Sequence, residues 1–265
     1  MLNLFLRTIK DKQYFILGWF LGLAFFGFLM MLFFPAFQNS GLDQLLANLP
    51  PELKTLKGLL GDLGDLKTTS GYLAAQFFDI RMPMFISVFS VILAIGLSVK
   101  DEEDGYLRTL LAMPLSRTKL LFGKLLAIIA ICFVAVVAIV AGLWLGAISV
   151  GESLDWLVML DMSIVTLLMS ICMTTVVFCI GLASGKRGLT MGLGVLIAAG
   201  SFLLTTFAKS VEWLQPYENA SLFHYFPAVD MAKNGIRLSD IIVLVSVTIV
   251  SVAIAVILFR RRDVH

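Results

Sequence analysis

The chain has 265 residues, of which 59% are hydrophobic and 14% are charged, and its formal net charge is +2. Soluble globular domains carry about 25% charged residues, so the polar side chains here are too few to cover a water-soluble globule of this length. The small net charge, without a basic stripe, does not indicate nucleic-acid binding. The three cysteines, Cys132, Cys172 and Cys179, lie within apolar runs, and their odd number argues against a disulfide framework.

Residues 1–13 are predicted to form a short amphipathic helix in the plane of the membrane surface. Leu2, Phe5, Leu6 and Ile9 follow the spacing of one helical face, and Arg7 lies on another face. Such a helix places its apolar side at the boundary between headgroups and acyl chains. The alternative is a frayed tail, because chain termini are often poorly ordered.

Six apolar stretches meet or approach the length of about 20 residues that an α-helix needs to cross a hydrocarbon core of about 30 Å. They are residues 14–37, 80–99, 125–150, 162–183, 189–208 and 241–259. The backbone groups of a segment in lipid must be hydrogen-bonded within it, so all six are predicted to be helices. The sequence therefore predicts an all-α polytopic membrane protein, with residues 1–265 forming a single transmembrane domain.

The loop at residues 38–79 is the longest between two predicted spans. After Pro50 and Pro51, leucines recur at helical spacing among charged residues, which predicts an amphipathic segment over residues 51–66. Glycines within it weaken its helical tendency. We expect this segment to lie on the outer membrane face or to pack against a second subunit.

The distribution of basic residues predicts the orientation. When residues 1–13, 100–124, 184–188 and 260–265 are placed on one side, that side holds 13 lysines and arginines and the other side holds 7. Cytoplasmic loops carry the excess of lysine and arginine, so both termini are predicted to be cytoplasmic.

The link between the second and third spans, residues 100–124, carries the most informative pattern. Four acids at residues 101–104 precede an apolar stripe at Leu107, Leu110 and Leu111, and Pro114 follows. Acids stabilise the first turn of a helix, and proline disfavours helix at the residue before it. This pattern predicts a short helix across the cytoplasmic mouth that docks a cytoplasmic partner. The alternative is a tight loop that joins two spans.

The residue order in this link resembles the signature of ABC-2 type transporter permeases. The matching residues are Glu102, Glu103, Gly105, Leu107, Leu110, Leu111, Pro114, Ser116 and Arg117, followed by Gly123 and Lys124. Tyr106 stands where the family commonly has threonine. The stretch 223–227 and the chain end 259–263 also resemble segments of that family.

This resemblance implies a multi-pass plasma-membrane permease subunit of an ATP-driven exporter. Two permease subunits, identical or related, would surround a central path, and each would dock an ATP-binding subunit on the cytoplasmic side. The docking surface would combine the interfacial helix with residues 101–115, including Arg108. Residues 209–238 would form short re-entrant helices near the outer exit.

The chain lacks sequence patterns for chemistry of its own. No phosphate-binding loop, with two glycines flanking four residues before lysine and serine or threonine, is present. We therefore expect no catalytic residue, metal site or cofactor in this chain, with ATP and Mg bound by the partner subunit. The charge-poor spans favour lipids, apolar drugs or amphipathic peptides as substrates.

Two other function classes stay open. One is an ATP-independent transporter or channel, although such proteins usually need ionisable groups at membrane depth and the predicted spans carry them only near their ends. The other is a membrane assembly or immunity protein that transports nothing.

Overall fold

The computed structural model describes residues 2–38, 67–100, 117–208 and 211–261. The predicted amphipathic segment at 51–66 and the link residues 101–116 lie outside the described residues. The α-helices are α1 (Leu2–Asp11), α2 (Gln13–Leu32), α3 (Phe34–Gln38), α4 (Thr69–Tyr72), α5 (Arg81–Ser98), α6 (Arg117–Val150), α7 (Trp156–Ser184), α8 (Arg187–Ala208), α9 (Ala228–Asn234) and α10 (Leu238–Arg261). A π-helix (Leu73–Phe78) follows α4, and two 3₁₀-helices (Glu212–Ala220 and Leu222–Tyr225) precede α9.

Six helical segments in the described ranges have the length and apolar composition to cross a membrane. They are Gln13–Gln38, Arg81–Ser98, Thr118–Val150, Trp156–Ser184, Arg187–Ala208 and Leu238–Phe259. The described chain contains no strand. The prediction of an all-α polytopic membrane fold is therefore confirmed.

Two helices begin earlier than the apolar runs indicate. Helix α6 starts at Arg117 rather than at residue 125, and α7 starts at Trp156 rather than at residue 162. Asp155 caps α7, because its carboxylate accepts hydrogen bonds from the backbone N–H groups of Leu157 at 3.0 Å and Val158 at 3.4 Å. Hydropathy marks where a helix enters hydrocarbon, whereas its first turn is set by capping and backbone hydrogen bonds.

The six long helices form a buried centre and an exposed periphery. In the apolar windows of α5, α6 and α7, 67%, 56% and 61% of residues are buried. The corresponding shares are 22% for α2, 22% for α8 and 17% for α10. Helix α7 contacts α5, α6, α8 and α10, and α2 lies along α6. Most residues of the three peripheral helices are therefore not fully buried within this chain.

Glycines bring α2 and α6 close together. A Cβ at Gly142 would overlap the backbone carbonyl of Ala24, and a Cβ at Gly146 would lie 2.8 Å from the carbonyl oxygen of Phe28. On the facing helix, a Cβ at Gly27 would lie 3.1 Å from the carbonyl oxygen of Ile139. Small residues allow this approach of two backbones in a membrane.

The end of the bundle away from α1 is closed by short helices. The side chain of Tyr72 is fully buried, and its hydroxyl donates a hydrogen bond of 2.9 Å to the carbonyl oxygen of Met30. Ser221, between the two 3₁₀-helices, donates to the carbonyl oxygen of Ser201 at 2.7 Å. These bonds hold the segments before α5 and after α8 against the long helices.

Candidate functional site

Several helix termini converge at the end of the bundle that carries α1. They are the C-termini of α5 and α7 and the N-termini of α6 and α8. The link 101–116 joins the end of α5 to the start of α6, so both of its attachment points lie here. We refer to this set of termini, together with α1, as the α1 end.

Helix α1 packs against the first turns of α6. A Cβ at Gly123 of α6 would lie 3.3 Å from the Cβ of Leu4, and Leu4 and Ile9 pack against the hydrophobic core. Leu6 is 53% exposed, and Arg7 is also exposed. The helix thus turns one apolar face to the bundle and leaves Leu6 on its outer side, where lipid can cover it.

The predicted α1 residues occupy different positions around this helix. Phe5 and Ile9 are half-buried, whereas Leu6 and Arg7 point outward. The side chain of Leu2 lies outside the described part. Leu4, which is not among the predicted residues of the apolar face, makes the contact at Gly123.

A buried lysine joins α5 to α6. The Lys124 side chain is 6% exposed, and its Nζ donates a hydrogen bond of 2.7 Å to the carbonyl oxygen of Leu97. Leu97 is in the last turn of α5, where carbonyl groups lack intrahelical partners and the helix dipole is negative. The ammonium therefore satisfies a terminal carbonyl and stabilises the C-terminus of α5.

The turn between α7 and α8 lies against the same terminus of α5. A Cβ at Gly181 would overlap the hydroxyl of Ser98. Gly185 ends α7 in the left-handed conformation at φ +60°, which glycine adopts without a Cβ penalty. The chain then turns through Lys186, and α8 begins at Arg187.

The residues predicted to couple to an ATP-binding subunit fall mostly outside the described part. These are Glu102, Glu103, Gly105, Leu107, Arg108, Leu110, Leu111 and Pro114. Arg117 is the first residue of α6. The sequence predicts Lys124 at the cytoplasmic end of the third span, where a lysine usually snorkels to the headgroups, and the structure instead buries its side chain.

The whole of this arrangement falls within one family match. The family model described as ABC-2 family transporter protein matches residues 5–264. The chain belongs to the ABC-2 transporter family. The comparison with curated proteins found no match, and neither did the comparison with solved structures.

The features of the α1 end lie within the part of the chain that matches the ABC-2 family. The resemblance seen in the link is confirmed, and the chain is a membrane permease component. Membrane proteins of the ABC-2 family generally work with ATP-binding subunits. The match includes most of α1, the link and Lys124, so the features that converge at the α1 end belong to the family region.

Proposed function

We propose that this chain is the permease subunit of an ATP-driven ABC-2 type exporter in the plasma membrane. Both termini are cytoplasmic, and a separate ATP-binding subunit, which supplies the ATP and Mg site, docks at the α1 end. The observation that carries this proposal is the buried hydrogen bond from Lys124 to Leu97, which joins the last turn of α5, before the link, to the second turn of α6, after it.

The hydrogen bond between Lys124 and Leu97 can transmit a movement of the link to both α5 and α6. A buried ammonium is costly unless it is hydrogen-bonded, so the two helix ends are held to each other. A partner that pushes on the link 101–116 would therefore displace α5 and α6 together. Helix α1, packed on Gly123, would move with the start of α6.

Charge supports a cytoplasmic α1 end. Basic residues are concentrated there, and cytoplasmic segments carry the excess of lysine and arginine. The basic residues near this end in the described ranges are Arg7, Lys10, Lys12, Lys100, Arg117, Lys119, Lys124, Lys186 and Arg187. The segments at the opposite end hold Lys67, Arg81, Lys233 and Arg237.

Exposed glycines support pairing with a second permease subunit. A Cβ at Gly18 or Gly22 on α2, or at Gly188 or Gly192 on α8, would meet no atom within 4 Å. Glycines at this spacing favour close helix contact in membranes, and both helices are peripheral in this chain. We therefore place the second subunit, a copy or a relative, on the outward faces of α2 and α8, giving two ATP-binding subunits per transporter.

Reconstitution with the ATP-binding subunit tests the docking. The Glu102→Lys/Glu103→Lys variant and the Leu110→Asp variant are each expected to lose copurification with the ATPase and to lose transporter-coupled ATP hydrolysis in nanodiscs. Membrane insertion should persist, because the altered residues lie outside the spans. The matched control is Glu152→Lys, which reverses an acid at the opposite end and should leave coupling unchanged. Normal partner binding and ATPase activity in the link variants would contradict the proposal.

A further inference from the structure

A cavity of about 380 Å³ opens at the α1 end between α2, α5 and α8. Phe15 of α2 and Met191 of α8 form two sides, and α5 forms the floor from Val91 to Gly96. Its volume lies in the range of small-molecule sites, about 300–1,000 Å³. Neither Lys124 nor Leu97 lines this cavity, so ligand binding in it does not depend on the hydrogen bond that joins α5 to α6.

The mouth of the cavity is cationic. Lys12, Lys100 and Arg187 line it together with one acid, Asp11, which gives a formal charge of +2. The three cations come from three separate parts of the chain, the α1–α2 junction, the second residue after α5 and the first residue of α8. Lys100 and Arg187 form no ion pair with any described residue. The described lining residues of the mouth are therefore mainly basic, and the four acids at residues 101–104 that follow Lys100 lie outside the described residues.

One of these cations is placed by a glycine. A Cβ at Gly96 would lie 2.9 Å from the Nζ of Lys12, so the ammonium occupies the space that a side chain on α5 would take. This arrangement directs the Lys12 charge into the cavity wall between α2 and α5. It also provides a small substitution, Gly96→Ala, that would displace the ammonium while leaving its charge in place.

The remaining walls of the cavity are apolar and continue along the spans. Ile92 is 47% exposed and Met191 is 54% exposed, and Phe15 lies beside them. A free anion would fill only the charged mouth and leave these walls open to water. An amphiphile would place its headgroup at the cations and its chain along the apolar wall, in the plane where the spans meet the membrane surface.

We propose that this cavity binds the anionic headgroup of a membrane phospholipid, with Lys12, Lys100 and Arg187 around the phosphate and an acyl chain along Phe15, Ile92 and Met191. Arginine matches a phosphate group in a two-pronged hydrogen-bonding geometry, and lysine contributes a point charge. The proposal depends on the membrane position of this cavity and not on the docking of an ATPase, so either can fail without the other.

Quenching of a single tryptophan tests the lipid site. Trp19 has its ring centroid 6.2 Å from that of Phe15, and replacing Trp144, Trp156 and Trp213 by phenylalanine leaves it as the sole reporter. The protein is placed in phosphatidylcholine nanodiscs with a minor fraction of lipid brominated on the acyl chain. We expect brominated phosphatidylglycerol to quench Trp19 more than brominated phosphatidylcholine does. Equal quenching by the two lipids would overturn the proposal.

Neighbouring basic residues supply a matched pair of variants. Arg187→Gln should lower the preference for phosphatidylglycerol about five-fold, as expected for loss of one basic residue near an anionic surface. Lys186→Gln removes the same charge one residue away but outside the cavity, and should leave the preference unchanged. Equal losses in the two variants would assign the effect to general surface charge and overturn the site.

Two further measurements test the site, one with a second variant in case the first does not fold and one with free phosphate as a competitor. Gly96→Ala should lower the same preference by displacing the Lys12 ammonium, with normal elution of the protein on size exclusion. If Arg187→Gln does not insert, an unchanged preference in Gly96→Ala overturns the proposal. Sodium phosphate at matched ionic strength should not relieve quenching, because it cannot fill the apolar wall. Relief by phosphate would assign the cavity to a free anion.

Discussion

The α2–α6 contact and the outward faces of α2 and α8 contain the same glycine spacing in opposite surroundings. At Gly142 and Gly146 a Cβ would meet the backbone or side chains of α2, whereas at Gly18, Gly22, Gly188 and Gly192 it would meet nothing within 4 Å. One set therefore closes a contact inside the chain. The other set leaves two helix faces unpartnered among the described residues, and these are the faces on which we propose that a second subunit packs.

Substitution of a glycine in the α2–α6 contact should have the largest effect. Gly142→Leu forces a side chain into the Ala24 carbonyl, so α2 and α6 cannot keep their separation. We expect a loss of stability above about 4 kcal/mol, seen as loss of the folded peak in size-exclusion chromatography of the fluorescently tagged protein. A normal elution profile and melting temperature would show that the contact is not close.

Loss of the polar bond between α5 and α6 should have a smaller effect. Lys124→Met keeps the chain length and removes the hydrogen bond to Leu97, leaving a buried carbonyl without this donor. We expect a cost of about 1–3 kcal/mol in thermal unfolding. Coupled ATPase activity should fall further than stability alone explains. Leu126→Met, at an exposed position of the same helix, is the control and should change neither value.

Substitution of an exposed glycine on α2 or α8 should weaken subunit association and leave folding unchanged. Gly192→Leu should insert and fold normally, because its Cβ meets no atom of the chain. Self-association measured by fluorescence resonance energy transfer in vesicles should weaken about ten-fold, in keeping with contacts of roughly 1–2 kcal/mol between membrane helices. An unchanged transfer efficiency would remove α8 from the subunit interface.

The smallest expected effect lies at the far end of α2. Tyr72→Phe removes the hydrogen bond to the Met30 carbonyl oxygen and should cost about 1 kcal/mol in thermal unfolding. Burial raises the pKa of Tyr72 to about 12, against an ordinary value of 10.0, and nearby Arg81 opposes this rise. The phenol is therefore a stabilising group below pH 10 that loses its contribution as pH rises toward 12, and the variant should lack this loss.

Local patterns predicted much of this fold. Six apolar runs predicted six long helices, because a backbone in lipid can form hydrogen bonds only within its own helix. The family was also recognisable from the link, whose proline and acids form a local motif, and the family match confirms it. Helices α6 and α7 begin before the apolar runs that marked their spans, at Arg117 and at Trp156, and Asp155 caps the first turn of α7.

Composition and apolar run lengths by themselves determined that this is a polytopic all-α membrane protein, and the residue order of the link resembled the ABC-2 family, to which the family match assigns the chain. Only the tertiary structure decided which glycines meet a neighbour, that Lys124 reaches the end of α5, that Leu4 contacts Gly123, and that Lys12, Lys100 and Arg187 share one cavity. The reason is physical. Helix formation in lipid depends on local hydrogen bonds, whereas these contacts join residues far apart in the chain and depend on how the helices pack.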